Sequence, residues 1–168
     1  MQNEVTIRPM EGEDAIEIHA IHTACLRTTL RAHYDEGQIS AWTTGRTPAG
    51  YLRAQDGGEA FLVAVANGVV VGYVSWEDGE LLSLFVRPHA QRTGIGTLLA
   101  DAAFRAAETA GSPIVVLKAA LGAGPFYERF GFEDSGPGST IKRGVEIPDR
   151  RMRRQLPEAG NDGYPSPD

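Results

Sequence analysis

Residues 81–104 read LLSLFVRPHAQRTGIGTLLADAAF, and this stretch decides the fold. It opens as an apolar strand, Leu81 to Val86, which ends at Pro88 because proline cannot donate to a strand ladder. A short loop, Gln91-Arg92-Thr93-Gly94-Ile95-Gly96, runs straight into a Leu- and Ala-rich helix, Thr97 to Ala110, closed by Gly111. Helix N-termini present unpaired N–H groups and the positive end of the helix dipole. Gly94 and Gly96 carry no Cβ, so an anion can approach their amides, and Arg92 adds charge. The pattern reads as a pyrophosphate cradle or as a plain glycine turn before a helix. It is not a Walker loop, since no Gly-Lys-Ser/Thr follows, and it lacks the third glycine of a dinucleotide fingerprint.

Upstream, Ala60 to Ala66 and Val69 to Trp76 flank Asn67-Gly68, a type I′ hairpin signal, and Asp78-Gly79 turns into the Leu81 strand. These segments predict an antiparallel meander. Val5 to Arg8 reads as a short strand. Asp14 opens a helix to about Leu30, with Ile16, Ala20, Ile21, Ala24 and Cys25 on one face. Asp35 and Gln38 form a capping-box pattern ahead of a helix through Trp42, and the residues from Gly45 to Ala60 read as loop.

Downstream, Ile114 to Leu117 predicts a strand covered on both faces. Pro125 to Phe130 predicts a short helix ended by Gly131. Phe132 starts another strand, and Val145 to Ile147 with Met152 to Leu156 supplies a last one. The expectation is one α/β domain over residues 1–156, a mixed, mostly antiparallel sheet with helices on both faces. Residues 157–168, rich in Pro, Gly and Asp, are expected to form a disordered tail.

The 168 residues, with a net charge of −6, suit a globular chain and give no global reason to expect nucleic acid as a partner. No apolar run reaches bilayer length and no signal pattern opens the chain, so no membrane partner and a cytoplasmic location are expected. Cys25 is the single cysteine, which excludes an internal disulfide and a thiolate metal site; no metal is expected. Cys25 reads as a packing residue far in sequence from the glycine turn. His19, His22 and His89 read as surface or capping residues. Arg150, Arg151, Arg153 and Arg154 read as a charged sheet edge, or as a surface for an acidic partner.

A second run gives the glycine turn its meaning. Val86-Arg87-Pro88 and the Gln91 to Gly96 turn are followed by a strand at Val115-Val116-Leu117 and then by Gly124-Pro125-Phe126-Tyr127-Glu128-Arg129-Phe130-Gly131-Phe132. In that order the two motifs resemble those of the GNAT (GCN5-related N-acetyltransferase) superfamily. The Ile7-Arg8-Pro9 strand and the hairpin fit as well, so the resemblance covers roughly residues 4 to 156.

The resemblance implies a GNAT fold whose sheet splays between its two central strands, with acetyl-CoA as cosubstrate. Backbone groups of Leu84, Phe85 and Val86 would hold the pantetheine arm. The amides around Gln91, Arg92, Thr93, Gly94, Ile95, Gly96 and Thr97 would hold the pyrophosphate, and the Val86 N–H would polarise the thioester carbonyl. Tyr127 would protonate the departing thiolate, or else simply pack with Phe126 and Phe130. Glu80, eleven residues before Gln91, sits where histone-type relatives carry a base, or it is a solvated turn residue. Ala120 departs from the family pattern, which often has Asn or Ser seven residues before the tyrosine. Tyr34 and Trp42 fall where relatives wall the acceptor pocket, and could equally be core.

The function expected is direct acetyl transfer to a primary amine of a small molecule or peptide, without an acetyl-enzyme. The alternatives are a non-catalytic acyl-CoA sensor and a partner-binding protein using the arginine run. A homodimer is compatible with the sequence, and no residue demands one.

Overall fold

Asn67 and Gly68 both adopt positive φ, the geometry a type I′ turn needs, and the hairpin forms as the sequence predicts. In the computed structural model, which describes residues 4–156, β2 (Ala60–Ala66) and β3 (Val69–Glu77) pair around this turn. β1 (Val5–Pro9) adds antiparallel to β2, and β4 (Glu80–Val86) adds antiparallel to β3. The helix α4 (Ile95–Thr109) carries the chain over to β5 (Val116–Ala119), which lies parallel to β4. β6 (Glu133–Lys142) and β7 (Val145–Arg153) form a second hairpin, and the seven-stranded order is β1-β2-β3-β4-β5-β7-β6. The expected mixed, mostly antiparallel sheet is present.

Helices cover both faces. On one side α4 buries Ile95, Leu99, Ala100, Ala103, Phe104 and Ala107. The small alanines let its backbone approach the strands, and Gly72 of β3 gives the room: a Cβ there would lie 3.0 Å from Leu99 Cδ1. On the other side lie α1 (Asp14–Arg27), α2 (Glu36–Thr43) and α3 (Pro48–Asp56), packed on β2, β3 and β7. The Asp35–Gln38 capping box closes as expected.

Several expectations are corrected. α3 occupies the stretch read as loop; Thr47 accepts the Gly50 N–H and Pro48 sits in the first turn, a start signal hidden among glycines. The buried face of α1 is Ile18, Ile21, His22, Cys25 and Leu26, whereas Ile16 is 66% exposed. β5 is not covered on both faces: Leu117 and Ala119 are buried and Lys118 is exposed. The arginine run is no sheet edge, because β7 lies between β5 and β6. Arg150 and Arg151 pair with Asp134 and Asp149, and Arg154 lies 4.2 Å from the Phe104 ring centroid. The last strand is one continuous element. Residues 157–168, expected as a tail, lie outside the described residues.

Candidate active site

The parallel pair β4–β5 holds together only at Glu80↔Val116 and Leu81↔Leu117. Beyond these the strands diverge. An extra residue in β4 opposes the Ser75–Trp76 step, and such a bulge bends its strand and raises the local twist. The Arg87 N–H donates to the Val71 carbonyl at 2.8 Å. Main-chain groups alternate along a strand, so Phe85 also faces β3 while Leu84 and Val86 face the gap. Of the three residues predicted to supply backbone contacts, Leu84 and Val86 therefore offer them, and Phe85 spends its groups in the β3 ladder.

The Val86 carbonyl is already taken. It accepts from the Gln91 Nε2 amide at 3.0 Å and from the Cys25 thiol at 3.1 Å, while Gln91 also donates to Thr29. Gln91 thus ties the end of β4 to the turn that follows α1. Cys25, remote in sequence, is brought beside the wedge. Burial raises its pKa to about 11, outweighing the lowering from its Val86 bond, so it remains a thiol and a hydrogen-bond donor.

The glycine turn lies at the wide end. Gly94 adopts φ +87° and opens α4, whose Leu98 N–H bonds the Gly94 carbonyl, leaving the amides of Ile95 to Thr97 without a partner one turn back. A groove of about 520 Å³ runs from Arg92, Gly94, Gly96 and Thr97 past Phe126 and Arg129 to Leu84, Val86 and Tyr127. The Thr93 hydroxyl turns back to the Ala90 carbonyl and the Ile95 side chain enters the core, so these two can offer main-chain groups only.

A second cavity, about 410 Å³, joins the groove at Leu84, Val86, Gln91, Ala123 and Tyr127. Tyr127 comes from α5 (Gly124–Glu128) and lines both spaces. Its hydroxyl bonds to none of the described residues, and burial pushes its pKa up. Ala120 lines the cavity too, as do Tyr34 and Trp42. The Tyr34 hydroxyl is fully used: it donates to the Pro148 carbonyl at 2.7 Å and accepts the Leu121 N–H at 3.0 Å, tying β7 to the loop after β5. Trp42 packs edge-on to it.

Glu80 keeps its expected place at the start of β4, while the placement of His22 changes. Glu80 sits in the still-paired root of the wedge, opposite Glu77 and Val116, and lines neither space. His22, read as a surface or capping residue, is 3% exposed. It stacks on Phe85 at 4.6 Å, shares a hydrogen bond with the Tyr51 hydroxyl through Nδ1, and lines the cavity with Nε2 unpartnered among the described residues. Burial, then Arg46, Lys142 and His19, lowers its pKa well below the ordinary imidazole value, so the ring is neutral. The sequence signal was its spacing from Ile18 and Cys25, which puts all three on one helix face. The described residues include no cluster of three or more His, Cys, Asp or Glu side chains arranged for a metal, and no helix long and apolar enough to cross a membrane.

The chain belongs to the GNAT acetyltransferase family: residues 30–153 match the family described as Acetyltransferase (GNAT) domain. It is 28% identical to the uncharacterized N-acetyltransferase YafP of Escherichia coli, over 78% of this chain and 83% of that protein. It is 36% identical to an uncharacterized N-acetyltransferase of Methanocaldococcus jannaschii, over 77% of this chain and 61% of that protein. A GCN5-related N-acetyltransferase from Rhodopseudomonas palustris superposes with a TM-score of 0.83 at 25% identity, over 93% of this chain and 99% of that one.

Proposed function

We propose that this acetyltransferase uses acetyl-CoA and passes the acetyl group directly to a primary amine of a small molecule or peptide. The observation that carries the reading is the wedge. Leu84 and Val86 turn main-chain groups into a gap that no strand fills, and the gap runs from free helix-terminal amides to a phenol. Apart from the Val86 carbonyl, which Gln91 and Cys25 already occupy, main-chain groups left unpaired beside a groove call for a ligand that completes the ladder. The amides of residues 92–97 would take the pyrophosphate and the pantetheine arm would lie along Leu84 to Val86.

In this reading the amine enters from the second cavity and attacks the thioester carbonyl. The Val86 N–H polarises the carbonyl oxygen, Tyr127 donates its proton to the leaving sulfur, and the amine proton leaves by way of the cavity. Direct transfer is favoured because Cys25, the one nucleophilic thiol at the wedge, is held protonated on the Val86 carbonyl. Among the cavity-lining residues the only carboxylate is Asp149, and Arg151 binds it at 2.7 Å. No carboxylate base is therefore assigned, and Glu80 stays outside the step.

Thiol release from acetyl-CoA, measured across a panel of amines with wild type and Tyr127→Phe, tests the reading. Acceptor-dependent release that collapses in the variant supports it. Tight acetyl-CoA binding with no release for any amine would replace it with the sensor reading, which Ala120 favours.

A further inference from the structure

Resting on the acetyl-transfer reading, we infer that the acceptor is a primary amine that itself carries an anionic group, held by Arg46, Lys118 and Lys142 on the wall of the cavity. The three cations come from separate elements: Arg46 from the loop between α2 and α3, Lys118 from β5, and Lys142 from the end of β6. All three line the cavity.

None of the three has an ion-pair partner among the described residues, although the chain as a whole carries a net charge of −6. The Arg46 Nε donates to the Trp42 carbonyl at 2.9 Å, which orients the guanidinium. The Lys142 Nζ stands 5.9 Å from the centroid of the same Trp42 ring. Desolvation, then Arg46 and Lys118, lowers the Lys142 pKa, as expected for like charges gathered in a half-buried site.

The carboxylates nearby do not neutralise the group. Asp149 is held by Arg151, and Glu59, which feels Arg46, does not line the cavity. Arg46 and Lys142 are half-buried and Lys118 is exposed; cations that face one concave space without an ion-pair partner focus a positive field into it. An anionic group entering there is paired, while a second ammonium is repelled.

The remaining walls supply the rest of the chemistry. Trp42, Phe85 and Leu30 offer apolar surface. The match is a small amine with an apolar body and a carboxylate or phosphonate, the chemistry of an apolar α-amino acid or its phosphonate analogue. Polyamines and aminoglycosides, whose charges are all positive, are the wrong sign.

The experiment uses phenylalanine, its aminophosphonate analogue, phenylalaninamide, phenethylamine and a linear diamine, read by acetyl-CoA-dependent thiol release and by calorimetry on the CoA-loaded protein. The anionic pair should exceed the others at least tenfold in kcat/KM or affinity, and the better of the two identifies the anion. Lys142→Met and Arg46→Gln should each raise the acceptor KM at least tenfold for the anionic amines. Their effect on phenethylamine and on acetyl-CoA KM should be small. The inference is overturned if neutral or cationic amines are equal or better. It is equally overturned if the substitutions weaken all acceptors alike, or if the CoA-loaded protein binds none of the anionic amines. A protein that fails to bind CoA alone, read in a separate titration, removes the acetyl-transfer reading first and this inference with it.

Discussion

Gly96→Val separates the cofactor groove from the fold. Gly96 lies in the first turn of α4, and no positive φ demands glycine there. A Cβ would stand 3.7 Å and 3.8 Å from the Phe126 ring and 3.9 Å from Val86 Cγ2, which is ordinary contact. The folded protein therefore accepts a Cβ at this position, and the two further methyls point the test at the groove. Glycine is about 0.8–1.0 kcal/mol worse than alanine inside a helix, and valine recovers part of that. A domain of this size gains about 2–4 °C per kcal/mol, so melting should hold or rise by about a degree.

The groove loses what the helix gains. Three carbons would stand between α4 and Phe126, on the path from the amides to the wedge. We expect CoA to bind at least tenfold more weakly, about 1.4 kcal/mol, by calorimetry. At a fixed, saturating CoA concentration, the ligand-induced rise in unfolding free energy should shrink by the same ~1.4 kcal/mol. Gly96→Ala should fall between the two. A folded Gly96→Val variant with wild-type CoA affinity would refute the groove as the binding path.

Tyr127→Phe should lower kcat by about 10²–10⁴-fold with little change in acetyl-CoA affinity, since the ring remains. The raised pKa keeps the phenol protonated as pH climbs, so the wild-type kcat profile should show no alkaline loss below about pH 10, and a loss there would move the acid elsewhere. Glu80→Gln should match wild type across the pH range, because the carboxylate lines neither cavity; slowing near neutrality that high pH restores would reinstate Glu80 as the base. Asp14 is desolvated, yet its bonds from Arg8 and the Glu11 N–H prevail and hold its pKa below the ordinary value. Its stabilisation is therefore present above about pH 4 and lost as pH falls through the lowered value. Asp14→Asn should cost about 1–3 kcal/mol at pH 7 and flatten the acid limb of melting temperature against pH; an unchanged limb would contradict the assignment.

What the sequence determined by itself is local. Asn67-Gly68 imposes its turn through backbone sterics, Asp35 with Gln38 satisfies its own helix end, and the Gly94 turn opens α4 wherever that helix packs. Each is a contact within a few residues, so order and spacing were enough to read the motifs and the family resemblance. α3 was obscured because glycines around Thr47-Pro48 hid a valid helix start, and the α1 face was misphased because Ile16 is apolar but points outward.

Tertiary structure decided where the chemistry gathers. The early parting of β4 from β5 makes the wedge, and it depends on strand register, which no single strand's sequence states. It turns Lys118 outward into the cavity and leaves Glu80 behind in the paired root. His22 and Cys25 reach the site only because α1 packs across β3 and β4, putting residues some sixty positions apart within hydrogen-bond distance. Arg46, Lys118 and Lys142 share one cavity for the same reason: like charges from separate elements are brought together by the packing of their scaffolds, against their own repulsion.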